Sequence, residues 1–136
     1  LLDVMANQGG LLGLSGISGD VRDLEQAAAD GNDRARLAME MFVAETRRYL
    51  GGHLVELGGA DVIAFTGGIG ERGANVRREV CQGLEELGIV LDPELNSACQ
   101  GQETRLSASD SRAQVWVVPT NEELIVARQT KQLLEG

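Results

Sequence analysis

Asp61-Val62-Ile63-Ala64-Phe65-Thr66-Gly67-Gly68-Ile69-Gly70-Glu71-Arg72-Gly73 is the stretch from which the fold follows. Its first six residues are a short, nearly all-apolar run, the pattern of a strand buried in the middle of a sheet. The chain then enters glycines and a helical stripe of Val76, Val80, Leu84 and Leu87, with Arg77, Arg78, Glu79, Glu85 and Glu86 outside it. A strand that runs through glycine into a helix leaves unpaired backbone N–H groups at the helix start. Those donors, with the helix dipole, suit a phosphate, and a missing side chain lets a ligand approach the backbone. A tight strand-to-helix turn favours glycine as well. Gly67, Gly68 and Gly70 together favour phosphate or ribose contact over the turn alone.

The same loop reads Gly68-x-Gly70-x-x-Gly73, the dinucleotide fingerprint, with Asp92 ~20 residues further on at an expected strand end. An NAD-binding Rossmann-type oxidoreductase module is therefore an alternative. Against it, that unit opens a sheet of about six strands, whereas here long helices precede it and few strands follow.

Upstream, residues 7–19 hold five glycines in thirteen positions and read as a loop. Ser18 is placed to cap a helix over about Asp20–Asp30, with Asp20 and Asp23 at its positive end. Gly31-Asn32 stops it. A long helix follows from Asp33 to Leu57, with Ala38, Phe42, Tyr49, His53 and Leu57 near one face. Gly51-Gly52 interrupts it, at ~1 kcal/mol per glycine relative to alanine, and Gly58-Gly59 ends it. Downstream, Gly88 is the expected cap of the helix after the glycine loop. Ile89-Val90-Leu91 reads as a strand stopped by Asp92-Pro93, residues 94–103 as polar and irregular, and Thr104–Ser107 as a small strand. Gln114–Val118 is a better strand, stopped by Pro119, and Thr120-Asn121 is placed to cap a final helix over Glu122–Leu134. Strands alternate with helices, so the expected class is α/β, with a few-stranded, partly parallel sheet of about four strands and flanking helices.

The chain has 136 residues, one domain's worth, with 12 basic and 21 acidic side chains and a net charge of −9. An acidic chain without a basic run is a poor partner for nucleic acid. No apolar stretch is long enough to span a membrane. Glycine is 18 of the residues, about 13% against the usual ~7%, and aromatics are 3%, so the core must be aliphatic. Leu1–Met5 lacks the basic region and cleavage site of a signal peptide. Cys81 and Cys99 form no close pair. A reduced, cytoplasmic protein is expected.

No GxxxxGK[ST] loop is present, and Lys131 is the sole lysine. A bound polyphosphate would then be neutralised by backbone amides, arginines and a divalent metal. Arg22 and Arg72 are the arginines nearest loops, although each taken alone reads first as a solvated surface charge. Asp20 suits either a ribose or the capping of its own helix. Asn121-Glu122-Glu123 follows a strand, at the edge where α/β sheets bind ligands; a carboxylate there can hold Mg2+, or serve only the first turn of a capped helix. His53 is expected to pack against an apolar face, and Cys81 to act as a small hydrophobe.

Three segments taken together resemble the acetate kinase family. They are Gly10-Leu11-Leu12-Gly13-Leu14-Ser15-Gly16-Ile17-Ser18-Gly19-Asp20-Val21-Arg22-Asp23, Phe65-Thr66-Gly67-Gly68-Ile69-Gly70-Glu71, and Pro119-Thr120-Asn121-Glu122-Glu123-Leu124. Their order and separation match, and propionate kinases are similar too. The resemblance implies a ribonuclease H-like fold of the actin/Hsp70/sugar-kinase (ASKHA) type. It implies that residues 1–136 correspond to the C-terminal portion of the nucleotide-binding domain. It implies transfer of the ATP γ-phosphate to acetate, giving acetyl phosphate and ADP, with Mg2+. Asp20, Val21 and Arg22 are then expected at the adenosine, Gly68, Ile69, Gly70, Glu71 and Arg72 at the nucleotide loop, and Glu122 at the metal. The N-terminal domain, with the transition-state arginines, the catalytic histidine and the acyl pocket, is expected upstream of Leu1, so no catalytic residue is expected here. A homodimer, joined largely through this domain, is implied as well; a non-catalytic dimerisation module remains a further alternative. Arg72 stands where the family usually has Asn.

Overall fold

A computed structural model describes residues 2–121 and 123–135. They form two compact units, Leu1–Ala60 with Arg78–Gln82, and Asp61–Arg77 with Gly83–Gly136.

The first unit is helical: α1 Leu2–Gln8, α2 Gly10–Ser15, α3 Val21–Ala29 and α4 Asp33–Leu57. Much of the glycine-rich segment read as a loop is therefore helix. Packing overrides propensity there, because α2 lies on α4 and Leu11 packs against the core of Leu24, Ala35 and Ala38. The Arg34 guanidinium donates to the Leu14 carbonyl from Nε and Nη2, at 3.1 and 2.8 Å, and closes α2. The cap of α3 is Asp20, whose Oδ1 accepts from the Arg22 amide at 2.9 Å. Ser18, expected in that role, sits one step back: its Oγ accepts from the Asp20 amide at 3.0 Å and donates to Asp23 Oδ2 at 2.7 Å. Helix α4 has the expected bounds. Asn32 Oδ1 accepts from the Arg34 and Ala35 amides, each at 3.0 Å, and Gly51-Gly52 stays helical. Only the N-terminal half of its apolar face is covered. Ala38 is buried and Phe42 half-buried, whereas Tyr49, His53 and Leu57 are exposed. Arg47 Nη1 donates to the carbonyls of Glu79, Val80 and Gln82, at 3.1, 2.8 and 2.6 Å.

The second unit contains β1 Val62–Phe65, α5 Gly67–Arg72, the first four residues of α6 Ala74–Cys81, α7 Pro93–Ala98, β2 Thr104–Arg105, β3 Gln114–Val117 and α8 Glu123–Glu135. Among the described residues the sheet has three strands in the order β1-β3-β2, with β1 parallel and β2 antiparallel to β3. The expected central strand, β1, is thus an edge, with Val62 54% exposed, and the fully buried Val115 and Val117 mark β3 as the centre. Ile89–Leu91 is reduced to one bridge, Leu91 to Ser107. Arg77, read as outside the stripe of α6, is fully buried. Cys81 and Cys99 are buried thiols outside any disulfide, and no helix among the described residues is long and apolar enough to cross a membrane.

The segment expected to be irregular begins with α7. Asp92 Oδ1 accepts from the amides of Glu94 and Leu95, both at 2.9 Å, and Pro93 occupies the first turn. Asp-Pro is a helix start as well as a strand stop, since proline's missing N–H costs nothing there. Asp92→Ala is expected to lower stability by ~1 kcal/mol. In urea this should appear as a lower midpoint with an unchanged slope.

Candidate functional site

Strand β1 leads through Thr66, in extended conformation and offering no side-chain cap, directly into α5. The glycines are therefore the opening turn of a six-residue helix. The opening N–H groups of a helix have no carbonyl one turn before them to bond. Gly67 has φ +69°, which a side chain would strain.

The surroundings of the other glycines differ. A Cβ on Gly70 would stand 3.2 Å from the Phe65 carbonyl carbon, so this glycine lets α5 pack on the end of β1. At Gly73 it would stand 2.5 Å from the Ile69 carbonyl oxygen. At Gly68 nothing lies within 4 Å. The two readings of the loop thus divide between its members: Gly70 and Gly73 serve close packing, and Gly68 leaves backbone that a ligand can reach.

Because β1 and β3 are parallel neighbours, the turns that follow them share the carboxyl edge of the sheet, where ligands settle in α/β folds. Glu71 joins those turns. Its Oε1 accepts from the Thr120 amide at 2.9 Å and the Thr120 hydroxyl at 3.3 Å. That carboxylate oxygen is engaged within the protein, and no sequence pattern announced the pairing across 49 positions. Asn121 Oδ1 accepts from the Leu124 amide at 3.0 Å and caps α8. Glu122, the expected metal ligand, lies outside the described residues. Arg72 is exposed, its stem against Gly101, where a Cβ would meet Arg72 Cγ at 3.5 Å. Among the described residues nothing hydrogen-bonds or ion-pairs with its guanidinium, which is left facing water. Asp92, the acidic residue counted in the dinucleotide pattern, caps α7 through Oδ1.

Asp20, Val21 and Arg22 belong to the first unit. Val21 is buried. Arg22 folds back on Asp20, with Nη2 2.6 Å from Oδ2 and Nε 3.1 Å from Oδ1. The Arg22 side-chain hydrogen bond, then its amide, lowers the Asp20 carboxyl from 3.8 to about 2. A depressed carboxyl stabilises the fold fully above its unfolded value, and that contribution is lost as pH falls through the folded value. Both groups are solvent-exposed, so the contribution is small. The Arg22 amide shift is expected to titrate with a midpoint near pH 2, not 3.8. The first turn of α3 should fray over the same interval, read from its Cα shifts.

Comparison with known proteins adds an independent line. The profile of the Acetokinase family matches residues 1–128. Acetate kinase of Dictyoglomus turgidum is 48% identical over 132 residues, which cover 97% of this chain and 32% of that protein. Acetate kinase of Methanosarcina barkeri is 50% identical over 132 residues, again 97% of this chain and 32% of the relative. The crystal structure of Porphyromonas gingivalis acetate kinase superposes with a TM-score of 0.88 at 40% identity, over 98% of this chain and 33% of that one. A propionate kinase from Francisella tularensis superposes with a TM-score of 0.80 at 36% identity, over 94% of this chain and 32% of that one. The chain therefore spans about a third of the length of the relatives it matches. Its fold is the ribonuclease H-like, ASKHA-type α/β fold of those kinases. Neither the dinucleotide module nor the bare assembly module gains support from these relatives.

Proposed function

This chain belongs to the acetokinase family, and on that premise we propose that it supplies the nucleotide side of an ATP-dependent carboxylate kinase. The γ-phosphoryl group of ATP would pass to an oxygen of acetate, giving acetyl phosphate and ADP. The propionate kinase likeness makes propionate the neighbouring candidate. The observation that carries the reading is the open backbone at Gly68, on the carboxyl edge of parallel β1 and β3. Phosphoryl transfer depends on positioning and on neutralising charge. Amides of Gly68, Ile69 and Gly70 suit the first task. Glu71 holds their turn to Thr120, and the exposed Arg72 guanidinium suits the second. Asp20, Val21 and Arg22 are proposed at the adenosine.

Mg2+ is the proposed metal, with Glu122 as its carboxylate. Among the described residues no three His, Cys, Asp or Glu side chains gather into a possible cage. In a kinase site Mg2+ is held by one or two carboxylates, water and the substrate's phosphates, and Glu122 would supply such a carboxylate. A homodimer forms part of the reading, supported by exposed Tyr49, Val55 and Leu57 on α4. A reducing, cytoplasmic setting is part of the proposal, one in which Cys81 and Cys99 stay thiols.

Titration of the chain with ATP–Mg2+, and separately with NAD, tests the proposal. Trp116, half-buried on β3, is the fluorescent reporter. A saturable response to ATP–Mg2+ and none to NAD is expected, and the converse overturns the proposal. Residues 1–136 are expected to show no acetate kinase turnover, because the groups that meet the carboxylate are proposed to lie elsewhere in the parent protein. Turnover at a complete enzyme's rate would contradict that assignment.

A further inference from the structure

Arg77 has the largest fully buried side chain among the described residues. A cation is buried at a cost unless acceptors surround it, and here backbone supplies several. Nη1 donates to the carbonyls of Gly70 and Glu71, at 2.9 and 2.8 Å. Nε donates to Asn96 Oδ1 at 2.8 Å, and Nη2 to the Asn96 carbonyl at 3.0 Å. Asn96 is itself buried and donates Nδ2 to the Ala74 carbonyl at 2.9 Å. It grips the guanidinium from α7.

The carbonyls of Gly70 and Glu71 close the last turn of α5, whose first turn carries Gly68. The Ile69 carbonyl is taken by the Gly73 amide at 2.8 Å. Six residues are too few to persist as a helix by themselves. A cation on the C-terminal carbonyls both satisfies them and favours the helix dipole. Nη1 takes both carbonyls while Nε and Nη2 of the same planar group take Asn96, an arrangement of three nitrogens that a lysine ammonium does not supply.

We propose that Arg77, gripped by Asn96, is the positioning residue of the nucleotide turn. It keeps Gly67–Arg72 wound, so that the Gly68 backbone is presented to the ligand and Glu71 reaches Thr120. Arg77 touches no ligand in this scheme, and the ligand half of the inference rests on the nucleotide reading of Gly68.

Amide hydrogen exchange and ATP–Mg2+ affinity, measured on the 136-residue chain and its Arg77→Lys variant, test it. Exchange is expected to rise about tenfold at the amides of Gly70–Gly73, with Leu106 and Gln114 unchanged. The ATP–Mg2+ Kd should rise by a similar factor, about tenfold, because only the wound fraction binds. An equal rise in exchange across the whole sheet would show a merely structural role and overturn the proposal. So would local opening with unchanged affinity. Failure of the unsubstituted chain to take up ATP–Mg2+ would remove the nucleotide reading and the ligand half with it; the exchange pattern would still decide whether Arg77 holds the helix. Should Arg77→Lys not fold, Asn96→Ala keeps the cation on Gly70 and Glu71 and removes one acceptor. It should shift the same amides and the same Kd in the same direction, by about threefold, and no shift at either would overturn the proposal.

Discussion

Gly68→Val is expected to weaken ATP–Mg2+ binding about a hundredfold, ~2.8 kcal/mol, with the urea midpoint unchanged or slightly raised. No atom lies within 4 Å of a Cβ at this position, and Gly68 is absent from the glycines with positive φ. Valine is also a better helix former than glycine, by a few tenths of a kcal/mol. Folding therefore has no reason to object. What a branched side chain would obstruct is a ligand drawn up to the backbone of the first turn. Gly73→Val is the control. The same side chain there places its Cβ 2.5 Å from the Ile69 carbonyl oxygen, so stability should fall, and affinity only as a consequence. Calorimetric titration beside urea unfolding separates the two variants. Wild-type affinity in Gly68→Val would remove the physical ground for a nucleotide at this turn.

Leu24→Ala is expected to cost the first unit ~3 kcal/mol. Leu24 is fully buried against Ala35 and Ala38, with Ala27, Ala28, Leu11 and Met39 around them. Most of those neighbours are alanines, too short to reach into a void. Only Leu11 and Met39 can shift toward it, so much of the cavity persists and its cost is added to the lost transfer energy. Against a total of roughly 5–15 kcal/mol for a domain, that is a large share. Urea unfolding should show it, with amides of α3 and α4 losing protection before those of β3. A loss below ~1 kcal/mol would mean that the helices close over the gap.

Much of the backbone was legible because its signals are local. Asn32 and Gly58 flank the long helix, and α4 has the bounds that those two residues specify. The runs at 62–65 and 114–117 became strands, and the three segments that resemble acetate kinases match a family profile covering residues 1–128. The misread segments carried conflicting local signals. Asp92-Pro93 both ends a strand and starts a helix, and only the pairing of Leu91 with Ser107 shows how little strand remained to end. Gly10 and Gly13 argue against helix, and the packing of α2 on α4 outweighed them.

At the candidate site the glycines were legible as a group, and their division was not. Gly70 packs on Phe65 while Gly68 is open, a difference made by neighbours and not by the glycines themselves. The Glu71–Thr120 and Arg77–Asn96 contacts join positions far apart in the chain, and spacing carries no trace of them. Burial misled for the same reason. An apolar run marks β1 as a strand, yet its place at the edge of the sheet depends on the partner it finds. Leu133 and Leu134 are apolar positions on α8 and are 85% and 82% exposed.

What the sequence determined by itself is where α4, β1 and β3 lie, and which family the chain joins. Caps, turns and backbone preferences act over four or five neighbouring residues, and a motif is visible wherever its letters stand together. What only the tertiary structure decided is which glycine is open, which carboxylate is already engaged, and which arginine is buried beneath the turn. Those are properties of the space around a side chain, and that space is enclosed by residues tens of positions away.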